Sequence, residues 1–69
     1  MDNRRVRVEK LWNEFKSCAE NLEQHQFTFY MLVELKMKRL YKDLQENWND
    51  HHADLFIKAL EVKFIPMFK

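Results

Sequence analysis

A chain of 69 residues, 46% hydrophobic and 33% charged with a net charge of +1, has room for one small domain and not for two. A domain of this size buries only roughly 60% of its unfolded surface, so a deep catalytic cleft is not expected. Glycine is absent and proline occurs once, at Pro66, which excludes glycine-rich phosphate cradles and dinucleotide loops, and the near-neutral total gives no global field to draw in nucleic acid or an anionic membrane.

Met1–Arg5 is followed by alternating charge in place of the apolar run of a signal peptide. Val8, Leu11, Phe15, Cys18 and Leu22 recur at spacings of 3 and 4, with Trp12 and Ala19 widening the stripe. This predicts an amphipathic helix over about residues 3–23, capped by Asp2 or Asn3. Cys18 lies inside the stripe, where it acts as a small hydrophobe. As the single cysteine it forms no internal disulfide, and a reducing, cytoplasmic setting is expected.

The second stripe is Tyr30, Val33, Met37, Leu40 and Leu44, with Tyr41 and Trp48 beside it, and predicts a helix over about 27–48. Continuing the first repeat would bring His25 and Lys36 into the apolar seam, so a break within Asn21–Gln26 is the economical reading. No Gly or Pro marks that junction, and one long helix through it is the alternative. The longest stretch without charged residues, Gln24 to Val33, is too short to span a membrane, which takes about 20 apolar residues.

Asn49 or Asp50 is placed to cap a third helix over about 51–65, carried by Ala53, Phe56, Ile57, Leu60 and Phe64. Pro66 is expected to end it, because a proline biases the residue before it away from helical dihedrals. That leaves 66–69 as a short apolar tail. The tail is expected to dock, either on its own core near Trp12 or Trp48 or, with Phe68 as anchor, in a groove on another molecule.

The apolar surface exceeds what one core of three helices needs. At 100° per residue, Met31, Leu32 and Leu35 fall roughly opposite the Tyr30 to Leu44 stripe, and Leu55, Ala59 and Val62 face away from Phe56 and Leu60. Ten aromatic residues, each burying about 150–250 Å², add to the surplus. Large exposed apolar patches mark association sites. Met31, Leu32, Leu35, Leu55, Val62, Met67 and Phe68 are therefore the candidate protein-binding residues, and a homodimer formed through the second and third helices is the expected assembly.

Charge comes in blocks: residues 35–42 carry four bases and no acid, and 43–54 four acids and no base. Pairing between neighbouring helices is the simplest use of such blocks. The rival is a nucleic-acid grip built from segments 4–10 and 36–42, with Arg4, Arg5, Arg7, Lys36, Lys38, Arg39 and Lys42 on phosphates. No short turn with Gly introduces a recognition helix, and the acidic stretches would repel a duplex.

No catalytic or metal constellation is found. His51 and His52 are adjacent and point about 100° apart on a helix, and His25 with Cys18 makes only two of the four ligands that structural zinc requires. Ser17 and Thr28 have no histidine placed to activate them. Neither an enzyme nor a cofactor is expected. Glu34-Leu35-Lys36-Met37-Lys38-Arg39-Leu40-Tyr41, followed by Trp48, resembles a segment of the small Hha/YmoA nucleoid modulators, which act by binding another regulator. The likeness covers about nine residues, assigns no residue roles, and finds no counterpart there for the apolar third helix and the Pro66 tail.

These readings converge on an all-α domain of three helices that binds another protein as a regulator or adaptor and self-associates. Nucleic-acid binding is the alternative, and no membrane is involved.

Overall fold

The computed structural model describes residues 3–69. Helix α1 spans Arg4–Ser17 and tightens into a 3-10 turn over Cys18–Asn21, and α2 spans Gln24–Glu46. Helix α3 spans Asp50–Lys58 and continues through a π-helical segment, Ala59–Phe64, into a last turn, α4, over Ile65–Phe68. The described residues form an all-α domain of three helical rods without strands, measuring 39 × 19 × 16 Å.

The chain breaks between the first two rods, as the change of phase predicts. Leu22 and Glu23 are extended, with ψ of 142° and 162°. The backbone N–H of Glu23 donates to Gln26 Oε1 at 3.3 Å, so α2 starts at Gln24, three residues before the predicted position. Glutamate is not a favoured cap, which is why the pattern of apolar residues alone places the start late. Asn3 occupies the N-cap of α1 without a capping hydrogen bond from its side chain, and Asp2 lies outside the described residues. Asn49 does cap α3, its side chain accepting from the His52 N–H at 3.0 Å.

Pro66 does not end the third rod, contrary to expectation. In a regular α-helix its ring would meet the carbonyl of Val62 and its missing N–H would leave that carbonyl unbonded. The backbone widens ahead of it. The N–H of Ile65 donates to the carbonyl of Leu60, five residues back, and Pro66 then sits in the first turn of α4, where no N–H is needed. The wider turn also changes the phase: the buried set Ala53, Phe56, Ile57 and Leu60 continues with Ile65 and Phe68, and Phe64 is left half-buried.

The first and third rods run parallel, since Arg4 pairs with Asp50 and Asp54 (3.2 and 3.1 Å), Arg7 with Glu61 (2.8 Å) and Glu14 with Lys69 (3.3 Å). Helix α2 runs the other way between them, with Tyr41 beside Glu9 and Tyr30 beside Phe15. Closest backbone packing of α1 is on α3, whereas α1 and α2 meet through large rings. Trp12 stacks on Tyr41 at 5.1 Å and Phe15 on Tyr30 at 4.6 Å, offset arrangements that suit the ring quadrupoles. The Tyr30 hydroxyl donates to the Phe15 carbonyl at 3.1 Å, which satisfies it inside the core.

Candidate protein-binding groove

Stacking lets the core absorb more aromatic surface than its size suggests. Trp12, Phe15, Tyr30, Phe56 and Phe68 are buried and Tyr41, Trp48 and Phe64 partly so, leaving Phe27 and Phe29 exposed. Phe68 sits edge-on to Tyr30 at 5.3 Å and to Phe15 at 6.1 Å, and Phe15 in turn stacks on Trp12 at 5.8 Å. The tail thus docks on its own core, one ring removed from Trp12 and at the end of the bundle away from Trp48. Phe68 is a core residue here and not an exposed anchor, because the π segment rotates it inward. Met67 is left 46% exposed beside it.

The surplus of α2 remains uncovered. Leu32 is 61% exposed, Leu35 59% and Met31 54%. Leu32 and Leu35 border a groove of about 580 Å³ between α2 and the π segment, with Phe29 at one end, buried Val33 and Met37 below, and Phe64 supplied from the opposite wall. Lys36 and Arg39 line it from α2 and Lys63 from the π segment. Met31 does not line the groove. Leu55 and Val62 are exposed on the outer side of the third rod and do not line it either, while Ala59, predicted to face outward with them, is partly buried.

Lys36 and Arg39 therefore belong to the same surface as Leu32 and Leu35, although sequence reasoning assigned the two sets to rival functions. Phe29, Lys63 and Phe64 were missed. The spacing counts Phe64 as core by extrapolating 3.6 residues per turn across the π segment, and Lys63 lies outside both charge blocks that the sequence displays.

Charge pairing divides the basic residues. Arg4 and Arg7 are tied to carboxylates of the third rod, and the Arg5 guanidinium lies 4.6 Å from the Trp48 ring centre. Among the described residues, none of Lys36, Lys38, Arg39, Lys42 or Lys63 has an ion-pair partner. Lys63 lies 5.3 Å from the ring centre of Phe64. A second depression, of about 480 Å³ between α1 and α4, differs in kind: its Arg7 and Glu61, and its Glu14 and Lys69, pair with each other.

Other chemistry-bearing side chains are placed as ordinary structural groups. Burial, with Glu14 nearby, pushes the Cys18 thiol up, and its Sγ donates to the Glu14 carbonyl at 3.4 Å. Burial and then Glu9, which accepts from the hydroxyl at 2.7 Å, push Tyr41 up to about 12. Among the described residues, no three His, Cys, Asp or Glu side chains gather as metal ligands would, and no helix is long and apolar enough to cross a membrane. No family model matches the chain, and no curated protein or solved structure matches it either.

Proposed function

We propose that this protein acts by binding another protein, as a small regulator or adaptor, and that the outward face of α2 is its binding surface. The observation that carries this reading is the exposure of Leu32 and Leu35 beside a groove floored by core residues, which the other exposed aliphatic residues Val6, Leu55 and Val62 do not line. Covering that surface removes apolar area from water without any rearrangement of the fold. Self-association through α2 is the form of this reading that needs no other molecule.

A photo-crosslinking residue placed at Leu35, compared with one at Asn13 on the outer side of α1, tests the surface in the cells that make the protein. A discrete adduct from position 35 and none from position 13 is expected, and an adduct of twice the chain's mass identifies self-association. Equal labelling from both positions, or none from either, overturns the reading.

A nucleic-acid reading is favoured only by the unpaired bases of α2. In the N-terminal segment Arg4 and Arg7 pair with the third rod and Arg5 lies over Trp48, which favours a structural use of those bases.

A further inference from the structure

We infer that the groove between α2 and the π segment takes an amphipathic helix whose apolar stripe is flanked on both sides by acidic residues, an inference that rests on the protein-binding reading above. The groove combines two independent properties. Its floor and lips are apolar, through Leu32, Val33, Leu35, Met37 and Phe64, and its charged lining is of one sign, through Lys36 and Arg39 on one wall and Lys63 on the other.

None of those three bases is paired within the described residues, even though Asp43 lies one helical turn from Arg39. In a chain with a net charge of only +1, this is a local excess of unpaired positive charge beside apolar surface. From Phe29 to Arg39 the groove follows about 15 Å of helix axis, which matches about three turns of a partner helix. Leucine-like residues at i, i+3, i+4 and i+7 would fill it, with glutamates or aspartates on either flank reaching the bases. Charges so placed raise the association rate and suppress wrong partners more than they add affinity.

A second copy of the chain fits the groove less well. Antiparallel pairing of two α2 helices centred on the leucines sets Leu32 opposite Leu35, but it also puts Lys36 opposite Met31 and Arg39 opposite Thr28, with no acid for either base. Shifting the register until Arg39 meets Asp43 and Lys36 meets Glu46 carries Leu35 and Leu32 past the end of the partner α2, which stops at Glu46. Parallel pairing puts like charge against like. The outer side of α3 offers Leu55 and Val62 with Lys58 between them, a further base. Apolar contact and charge pairing are thus not satisfied together by α2 on itself, and a partner with acids flanking its stripe satisfies both.

The test uses the full chain and three labelled helical peptides of about 14 residues that share one leucine pattern and carry flanking glutamates, glutamines or lysines. Fluorescence anisotropy at about 50 mM salt is expected to show the glutamate peptide binding at least about tenfold more tightly than the glutamine peptide, an advantage that shrinks as salt rises. Leu32→Glu with Leu35→Glu should abolish binding while circular dichroism stays unchanged, since both side chains are more than half exposed. Reversing the lining with Lys36→Glu, Arg39→Glu and Lys63→Glu should transfer preference to the lysine peptide, a gain that a misfolded variant could not produce.

Equal binding of all three peptides to the unaltered chain overturns the acidic partner and leaves protein binding standing. So does failure of every peptide together with a self-adduct from position 35. Binding to phosphatidylserine vesicles, or to a DNA duplex, with no peptide bound and no protein adduct, overturns both readings.

Discussion

Trp48 illustrates how a single side chain fixes a junction. Its indole N–H donates to Asp50 Oδ1 at 2.7 Å, and its ring lies beneath the Arg5 guanidinium, so the short link between α2 and α3 is tied to the start of α1. The hydrogen bond from Trp48, helped by the charges of Arg4 and Arg5, holds the Asp50 carboxyl below the usual range. A carboxyl with a lowered folded-state pKa binds protons less readily than in the unfolded chain, whose value is about 3.9. The stabilisation is therefore present above about pH 4 and is lost as pH falls through the lower, folded value. Acid titration should move the Trp48 indole resonance in that window, and Asp50→Asn, which keeps an acceptor oxygen but no titrating group, should remove the step. An indole resonance in the unaltered protein that holds still throughout the acid range would show that Asp50 does not control this junction.

At the scale of elements, the π segment decides what the third rod presents. Removing exposed Val62 would convert the wide turn to an α-helical one and bring Leu60, Ile65 and Phe68 to regular spacings, but Pro66 would then lie inside a continuous helix. Deletion of Val62 is expected to cost about 3 kcal/mol in urea unfolding, and deletion combined with Pro66→Ala to recover most of it. If the single deletion is harmless, the proline is not what the wide turn accommodates. The same feature explains what could be read from the chain beforehand. Spacing within each regular stretch located the apolar stripes of all three rods and the break near Glu23, and the Asn49 cap was visible as residue type and position. A wide turn has no comparable signature, since residue counting presumes 3.6 residues per turn, and so the spacing assigns Phe64 to the core and leaves Phe68 open between its own core and a groove on another molecule. Of the groove, Leu32, Leu35, Lys36 and Arg39 were legible individually, and what joins them to Lys63 and Phe64 is a phase shift that sequence spacing hides.

The whole molecule is held by a layer of stacked rings rather than by its ion pairs. Arg4, Arg7 and Lys69 pair at the surface, where such contacts contribute roughly 0–1 kcal/mol each. Phe15 is fully enclosed between Trp12, Tyr30 and Phe68, and replacing a buried phenylalanine by alanine costs about 3–5 kcal/mol. Set against a total of about 5–15 kcal/mol for an ordinary domain, Phe15→Ala should remove a large share of the stability and lower the urea midpoint strongly. Arg7→Ala should shift the urea midpoint only slightly, and a midpoint shift as large as that of Phe15→Ala would mean that the ion pairs and not the rings carry the fold.

Because the closest backbone packing of α1 is on the third rod, those contacts span most of the chain length, as the pairs from Arg7 to Glu61 and from Glu14 to Lys69 mark. An α1–α2 hairpin would form first by proximity, yet on its own it would gain mainly ring contacts while leaving the closest neighbour of α1 absent. The route to the folded state must therefore close a loop that includes the whole of α2 before the backbone packing of α1 rewards it, which slows the search relative to a bundle of sequential neighbours. Once closed, the third rod packs on both α1 and α2, so its loss uncovers both of them at once.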